Sequence, residues 1–428
     1  MKGDGIAMKQ QYDVVVVGGG TAGVVAAIQA GRAGACTLLV EKNGMLGGTM
    51  TVGGVNYPAH FFAWGRRIIG GIGWELFSRA YAESGLPVPT PEGGSRHLPV
   101  DAFLFAALAD EAVLEAGVEP LFHTMPAAAT FEDGGWNLTL CTKTGLRDVR
   151  AKVLIDATGD ANVVGLAGFA LERSDVVQPA TLSFCASGYD LEALDEKALN
   201  DAAAAAIAAG ALVSTDISWY GAGPWSLLRS RGRNVNHIRA PEAHTSEGRT
   251  RAEIEGRRSL LRVYRFLRRQ PGLGAFQIDW FCTETAIRET VRIVGKATVT
   301  ADDYEDGRFF EDAVCYAFYH VDEHLNDGRG INQRQLKPGV LPTIPRGALL
   351  PAGSRCLLVA GRCLASDREA NSALRVECPC MAIGQAAGAL AALGAATGID
   401  PEDVPLTELH ALLRRHGAVI PGDVRLER

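Results

Sequence analysis

The sequence predicts an α/β protein with a parallel sheet flanked by helices, followed by a unit of mixed α and β content. The valine run Val14–Val17 is typical of a strand buried on both faces of a parallel sheet. A glycine-rich turn and a helical stretch to about Ala33 follow it, and a second apolar run, Thr37–Val40, ends on Glu41. Over 181–345 the pattern changes to alternating apolar stretches and long helical segments.

The glycine turn has the spacing of a Rossmann-like dinucleotide-binding unit, in which each small residue has a physical role. Gly18 allows a tight turn, Gly20 lets the backbone approach a pyrophosphate, and Gly23 lets the helix pack near the strand. The helix then begins at Thr21 and Ala22, where free N–H groups and a partial positive charge face the phosphates. This segment therefore predicts a dinucleotide site.

The acid and the loop after the second strand indicate which dinucleotide is bound. Glu41 can accept hydrogen bonds from ribose hydroxyls, and its charge disfavours the 2′-phosphate of NADP. Lys42 then begins a short loop that ends in a Gly-Gly-Thr turn. This arrangement resembles flavoproteins of the glutathione-reductase structural type, and the resemblance implies that FAD is the cofactor. It also implies contacts to FAD from Lys42, Gly47, Gly48 and Thr49.

A middle segment, Val153–Asp160, is similar to another element of the same flavoproteins. In the family, an apolar strand here ends in an Ala-Thr-Gly turn near the adenine end of the cofactor. The resemblance implies that three residues lie there: Ala157, Thr158 and Gly159.

Two C-terminal segments also resemble family elements. Cys356–Arg362 looks like the last strand, with Gly361 at its end, and Asp367 matches an aspartate that binds a ribityl hydroxyl. A simple helix cap is the alternative role for Asp367. Met381–Gly388 is similar to the closing helix, whose N-terminus faces the flavin pyrimidine ring and stabilises negative charge there. The implied contacts come from Ala382, Gly384 and Gln385.

These segments predict a domain organisation in which one domain is inserted into another. The FAD-binding domain takes 10–180 and 346–428, and 181–345 forms an inserted α+β substrate domain. Flavoproteins of this type place their substrate-covering domain at this point of the chain. Within it, the patterns predict an alanine-rich helix over Leu191–Ala209 and a basic amphipathic helix over about Ser246–Arg269.

Composition and charge exclude several classes of partner. A net charge of −7 without a basic run disfavours nucleic acid and anionic membranes. The apolar stretches look too short, or too interrupted by glycine, to span a bilayer. Nine scattered cysteines and a polar N-terminal segment favour reduced thiols and a cytoplasmic location. The oligomeric state stays open, with a homo-oligomer as one alternative.

Two residues are candidates for the chemistry. Ile287–Gly295 resembles a cavity-lining segment of the broad family of FAD-dependent oxidoreductases, whose substrates are diverse, and Arg288 lies within it. A guanidinium there could hold a carboxylate or alkoxide, and an ion pair with a neighbouring residue is the alternative. His60 follows a glycine turn expected beneath the flavin, and it is either a general base or a hydrogen-bonded loop residue.

Metal and dithiol chemistry are disfavoured. His320 and His324 are four residues apart and could share a helix face, but no third ligand lies nearby in sequence, so we expect no metal. The two-residue spacing of Cys378 and Cys380 around a proline would strain a disulfide. No second GxGxxG motif is present for NAD(P)H, which argues against a disulfide reductase.

The sequence therefore predicts an FAD-dependent oxidoreductase, either a dehydrogenase or an oxidase, that transfers a hydride between a small molecule and flavin N5. The electron acceptor is not indicated. A flavin monooxygenase or reductase using NAD(P)H or a partner reductase is the first alternative. A non-enzymatic FAD-binding protein is the alternative from another class.

Overall fold

The computed structural model describes residues 8–93, 99–220 and 223–424. Within these ranges, its strands alternate with helices in the first part of the chain and again near the end. In chain order the strands are β1 (Gln11–Val17), β2 (Thr37–Val40), β3 (Phe62–Ala63), β4 (Arg66–Arg67), β5 (Glu119–Leu121), β6 (Met125–Glu132), β7 (Gly135–Thr142), β8 (Gly145–Asp156), β9 (Leu171–Arg173), β10 (Phe184–Ser187), β11 (Gly232–Arg233), β12 (Gln277–Phe281), β13 (Val291–Ile293), β14 (Ala313–Tyr316), β15 (Val321–His324), β16 (Ile331–Arg334), β17 (Thr343–Pro345) and β18 (Leu357–Val359).

The α-helices of the same ranges include several long ones at the two ends and in the middle of the chain. They are α1 (Thr21–Arg32), α2 (Gly71–Glu83), α3 (Ala102–Glu115), α4 (Asn162–Leu166), α5 (Glu196–Ala208), α6 (Trp225–Arg229), α7 (Ser246–Leu267), α8 (Ala301–Glu305), α9 (Arg368–Leu374), α10 (Glu377–Thr397) and α11 (Leu406–Arg415).

The central sheet has seven strands in the order β5-β2-β1-β8-β7-β6, with β18 paired to β8. The strands β2, β1, β8 and β18 run parallel, and β1 is in register with β8 from Val14 opposite Val153 to Val17 opposite Asp156. Val14–Val17 are at most 1% exposed because both faces of the strand are covered. The predicted Rossmann-like α/β sheet is therefore confirmed.

The C-terminal part of the chain returns to this sheet. β18 pairs with the end of β8, and α10 packs along α1. The contact is close because α10 presents glycines to α1: a Cβ at Gly384 would lie 2.2 Å from the carbonyl oxygen of Ala22, and one at Gly388 would lie 2.2 Å from that of Ala26. The first and last parts of the chain thus form one core.

A second hydrophobic core lies between Leu182 and Cys282, where β11, β10 and β12 form a three-stranded antiparallel sheet. The predicted alanine-rich helix is present as α5, preceded by a short 3₁₀ turn at Leu191–Ala193. The predicted basic helix is α7, which buries one side against this core. Arg257 and Arg258 on this helix are exposed, as are Arg268 and Arg269 directly after its end.

The second core takes its residues from only part of the predicted substrate domain, 181–345. Apolar residues from Val291 onward, including Tyr304 and Ile344, pack into the first core. The name inserted unit is kept for the predicted range, 181–345, and its bounds stay a prediction.

The helix α10 differs from the expectation that no stretch could span a bilayer. By length and composition it could cross a membrane, and 78% of its most apolar stretch is buried inside the protein. Its neighbours are α1, α2, α11 and β8, so it occupies the position of a core helix.

Candidate functional site

A cavity of about 880 Å³ opens at the carboxyl ends of the parallel strands. Residues that follow β1, β2, β8 and β18 all line it, as expected for an open α/β sheet, where ligands bind at this edge. Residues of the inserted unit also line it, around the start of α7 and at 284–288. The volume is at the upper end of the usual range for small-molecule sites, about 300–1,000 Å³.

The first glycine turn exposes an uncapped helix end to this cavity. Gly18 has φ +108°, which allows the tight turn, and a Cβ there would strike the Ala157 carbonyl. Gly20, the N-cap of α1, makes no side-chain capping bond, and a Cβ at this position would meet nothing within 4 Å. Thr21 and Ala22 line the cavity with the first turn of α1. The helix end thus has free N–H groups and room for an anion beside them.

The second glycine turn touches the first. Gly20 and Gly47 form an isolated parallel bridge, and a Cβ on Gly48 would lie 2.8 Å from Gly20 Cα. Gly48 and Thr49 line the cavity, whereas Gly47 supports the turn from behind. Because the turns are in contact, both predicted pyrophosphate elements lie along one side of the cavity.

Glu41 lies in the cavity wall with its carboxylate held by backbone donors. Oε2 accepts from the Gly19 N–H at 2.6 Å, and Oε1 accepts from the Asn43 N–H at 2.7 Å. Burial raises the pKa of Glu41, and these two donors oppose the rise. Its neighbour Lys42 is ion-paired with Glu284 of the inserted unit. The acid is therefore fixed in position where a ribose could contact it.

The turn after β8 also reaches the cavity through Ala157, Thr158 and Gly159. The buried carboxylate of Asp156 shapes it, since Oδ1 accepts from the Thr158 hydroxyl at 2.7 Å and Oδ2 accepts from the Val163 N–H at 2.8 Å. Gly361, after β18, completes this side of the wall.

The residues present fit FAD. Two glycine turns in contact, an uncapped helix and a fixed acid form the set of donors and acceptors that a dinucleotide requires, and the space beside Gly20 is open. FAD would be held by a group of cavity-lining residues: Gly18, Gly20, Thr21, Ala22, Glu41, Lys42, Gly48, Thr49, Ala157, Thr158, Gly159 and Gly361.

Six predicted cofactor contacts do not line the cavity, and one of them is Gly47, which supports the second glycine turn. Gly23 packs against the Gly18 carbonyl, and Gly384 packs against Ala22, so both serve helix packing. Asp367 caps α9, accepting from the Ala370 N–H at 2.8 Å, which is the alternative stated for it. The others, both on α10, are Ala382 and Gln385.

The α10 residues lie too far along the helix to contact a ligand at its start. Gln385 bonds Gln29 and the carbonyl of His416 within the core. The helix begins at Glu377, several residues earlier than the resemblance implied, and residues 375–377 and Cys380 line the cavity.

Arg288 lines the cavity and is 8% exposed. Its Nη1 donates to the Pro179 carbonyl at 2.9 Å, and in the described part of the chain no carboxylate forms an ion pair with it. The alternative of a local ion pair instead involves Arg292 and Glu289. Burial and the charge of Arg375 lower the pKa of Arg288 to about 9, against the attraction of Asp322.

His60 lies behind the cavity wall. Its neighbour Ala59 lines the cavity, but the His60 ring packs on Tyr319 and Phe318, with centroid distances of 5.4 and 6.2 Å. Tyr319 is the one of these aromatic residues that faces the cavity. The structure therefore does not bring His60 and Arg288 together at the cavity surface as predicted.

The sequence interpretation missed a polar cluster beside Arg288. His324 Nε2 lies 3.2 Å from Asp322 Oδ2, and His324 Nδ1 lies 2.8 Å from His237 Nε2. Arg375 lies 3.6 Å from the same carboxylate and donates to the Asp322 carbonyl. Asp322, His324 and Arg375 line the cavity, so this cluster forms part of its polar wall.

The charges of this cluster are fixed by its contacts. Burial would raise the pKa of Asp322, but hydrogen bonds from the two adjacent histidines and the charge of Arg375 hold it well below its usual range. Burial and the charge of Arg288 lower the pKa of His237 to about 2 and of His324 to about 3. At neutral pH the carboxylate is ionised and this histidine pair is neutral.

His320 and His324 do not share a helix face. His324 is the last residue of strand β15. Side chains two residues apart along an extended chain point to the same side, so His320 and His324 both approach Asp322. Cys378 and Cys380 are buried free thiols in the first turn of α10.

The fold and the cavity together define a dinucleotide-binding α/β protein with a polar site facing the nucleotide cradle. The sequence matches the family described as FAD dependent oxidoreductase over residues 13–413. The chain belongs to this family. It is an enzyme, an oxidoreductase, and FAD is its cofactor.

Several solved structures are similar to this chain. A geranylgeranyl bacteriochlorophyll reductase-like protein from Thermoplasma acidophilum is 14% identical, covering 95% of this chain and 84% of its own, with a TM-score of 0.45. The anhydrotetracycline hydroxylase OxyS from Streptomyces rimosus is 14% identical, covering 95% and 66%, with a TM-score of 0.44. The p-nitrophenol 4-monooxygenase PnpA from Pseudomonas putida DLL-E4 is 14% identical, covering 96% and 81%, with a TM-score of 0.39.

One curated relative matches over a short segment. Dihydrolipoyl dehydrogenase of Trypanosoma brucei brucei is 66% identical over 38 residues, which are 9% of this chain. The match spans 8% of the length of that enzyme.

Proposed function

We propose that the enzyme oxidises a small anionic substrate at a C–H bond next to oxygen or nitrogen, with the hydride passing to FAD. The adenosine of FAD would lie near Glu41 and its pyrophosphate at the start of α1, between the two glycine turns. When bound, FAD supplies the two-electron acceptor for this reaction. The protein's part is to bind the anion, orient the C–H bond and manage a proton.

The observation that carries the proposal is the guanidinium of Arg288. It is 8% exposed, it lines the cavity, and in the described chain no carboxylate is paired with it. A buried charge without a counter-ion is costly, and the cost falls when an anion binds. Among the residues that the structure describes, Nη1 is the guanidinium atom that donates to a carbonyl, that of Pro179, so the rest of the fork is available for a carboxylate.

The charges around Arg288 support an anion rather than a neutral ligand. Arg375 places a second guanidinium in the same wall, and its charge lowers the pKa of Arg288. Asp322 is ionised, but it already accepts a hydrogen bond from Gln333. It also lies close to His320, His324 and Arg375. The pair formed by His237 and His324 is neutral at pH 7 and adds no charge. A substrate carboxylate would therefore complement the guanidinium groups of Arg288 and Arg375.

Anaerobic reduction of the bound flavin tests this function directly. The purified holoenzyme is mixed with 2-hydroxy acids and amino acids, and with the matching uncharged alcohols and amines, without pyridine nucleotide. We expect bleaching of the flavin absorbance by members of the anionic set and not by their uncharged counterparts. Reduction by NAD(P)H alone, or by the uncharged set alone, would contradict the proposal.

Arg288→Lys tests the role of the guanidinium fork. A lysine keeps the charge and loses the bidentate geometry, so flavin reduction by the best anionic compound should slow about a hundredfold. The flavin spectrum should stay unchanged, because Arg288 is not part of the nucleotide cradle. Arg257→Lys, on the exposed side of α7, is the control and should reduce at the wild-type rate.

We also place the enzyme in the cytoplasm. The support is that all nine cysteines are free thiols, five of them buried, as in proteins of a reducing compartment.

A further inference from the structure

A carboxylic acid that the proposed reaction has not yet used faces the cavity. Glu377 is the first residue of α10 and lines the cavity beside Arg375 and Val376. Among the described residues, no other side chain forms a hydrogen bond or an ion pair with its carboxyl group. Arg288, Tyr319 and Arg375 line the same cavity as Glu377.

Two opposing effects decide the protonation of Glu377. Its own backbone N–H, at the positive end of a 21-residue helix, and the charge of Arg375 favour the ionised form. Burial opposes them and is the larger effect, so the pKa of Glu377 is raised to about 7. The other titratable groups facing it are Tyr319, Cys378 and Cys380, and burial raises the pKa of all three. They are neutral at pH 7 and add no charge beside it.

The other ionisable groups of this wall are poorly suited to take up a proton. Asp322 is held ionised by its partners, so its proton affinity is too low. His324 has both ring nitrogens engaged, one with Asp322 and one with His237. Arg288 and Arg375 are donors. Glu377 is thus a cavity group with an unoccupied acceptor and a proton affinity near neutrality.

We propose that Glu377 is the acid–base group of this cavity. The inference rests on the proposed function, since oxidation of a C–H bond next to O–H or N–H requires two losses from the substrate. The hydride goes to the flavin, and the O–H or N–H proton goes to the Glu377 carboxylate as a C=O or C=N bond forms. The protonated acid then releases its proton to solvent, and in the reverse direction it donates that proton.

The pH dependence of flavin reduction tests this role. In the wild type, the rate with the best anionic compound of the panel should rise with pH about a midpoint displaced from 4.5 toward 7. In Glu377→Gln the rate should fall about 10²- to 10⁴-fold and lose this dependence, because the amide cannot take up a proton. Glu377→Asp should restore part of the rate and the pH dependence. Glu247→Gln is the control, since Glu247 lies in the first turn of α7 but is exposed.

An infrared pH titration of the oxidised holoenzyme provides a readout that does not depend on turnover. A protonated carboxyl band that titrates near neutral pH should be present in wild type and in Glu247→Gln, and absent from Glu377→Gln. Titration of Glu377 at an ordinary carboxyl pKa would overturn the inference.

The outcomes separate this inference from the proposed function. If the anionic compounds reduce the flavin and Glu377→Gln does so at the wild-type rate and pH dependence, the function stands and the role of Glu377 is wrong. If no anionic compound reduces the flavin, the function fails and the acid–base role falls with it, even where the infrared titration finds the raised pKa.

Discussion

The carboxylate of Asp322 determines which ring nitrogens of His324 and His237 carry a proton. It contacts His324, and His324 in turn contacts His237. As an ionised carboxylate it requires the proton of His324 on Nε2, which leaves His324 Nδ1 as an acceptor. His237 must then donate from Nε2 across the 2.8 Å contact. These tautomers are inferred from the contacts, and they explain how two adjacent buried rings stay neutral beside two arginines.

His237→Phe tests this arrangement. A phenyl ring keeps most of the volume but removes the donor to His324, so the flavin-free protein should lose about 1–3 kcal/mol of unfolding free energy at pH 7. Urea unfolding measures the loss.

The same histidine should also appear in the pH dependence of stability. The folded-state pKa of His237 lies below the unfolded value, so the unfolded chain binds more protons, and stability is lost as pH falls below about 6.5. His237→Phe should remove up to about 1.4 kcal/mol per pH unit from the slope between pH 6 and 4.5. His123→Asn, at an exposed histidine, should leave the slope unchanged, and an unchanged slope in His237→Phe would contradict the assignment.

At the level of the elements, α1 and α10 pack closely because glycines of α10 lie at the contact. Gly384 and Gly388 lie one helical turn apart on α10 and let its backbone approach that of α1. This packing keeps the start of α1 at the edge of the sheet. The same Gly-Gln-Ala-Ala-Gly segment gave the resemblance to a flavin-contacting helix, and in this structure it stabilises the cradle from behind.

Gly384→Ala and Gly20→Ala should therefore affect different properties, the first mainly stability and the second mainly FAD affinity. At Gly384 a Cβ would strike the Ala22 backbone, so the flavin-free protein should lose about 1–3 kcal/mol of stability. At Gly20 the φ of −69° suits alanine and the space is open, so stability should be nearly kept while FAD affinity falls at least about tenfold. Denaturation and FAD titration of both variants measure this. Equal loss of FAD affinity without destabilisation in both would show that Gly384 contacts the cofactor after all.

The nucleotide cradle could be predicted from the sequence because strand, turn and helix each leave a local pattern within about 30 residues. The polar wall could not, because its members come from distant segments, such as His237, Asp322 and Arg375. One local signal was available. The polar residues 320, 322 and 324 are spaced two apart, which is the period of a strand. The two histidines are also four apart, and this spacing suggested a helix instead.

At the level of the whole molecule, ion pairs join the inserted unit to the nucleotide-binding part. Asp160, after β8, is paired with Arg362, after β18, and with Arg249 of α7 at 3.0 Å. Burial would raise the pKa of Asp160, but the two arginines outweigh it and lower the pKa to about 2. Lys42 and Glu284 form a second link at the cavity.

Asp160→Asn should weaken this junction. It leaves two largely buried guanidinium groups without their counter-ion, so unfolding free energy should fall by about 3–5 kcal/mol at pH 7. Since the folded pKa is depressed, the difference from wild type should shrink as pH falls from about 4 toward 2. Asp201→Asn, in the exposed pair with Lys197, is the control and should melt at the wild-type temperature. Equal melting temperatures for Asp160→Asn and wild type would show that the ion pairs of Asp160 do not stabilise the protein.

The return of β18 to the central sheet has a consequence for how the chain folds during synthesis. β8 ends at Asp156, and its parallel neighbour begins about 200 residues later at Leu357, with α10 later still. Until the ribosome has made these segments, the last residues of β8 (154–156) have β1 on one side but lack β18 on the other, and α1 lacks the helix that covers it. The nascent chain therefore exposes the end of β8 and an apolar face of α1 until its C-terminal segments have been made, and surfaces of this kind favour aggregation.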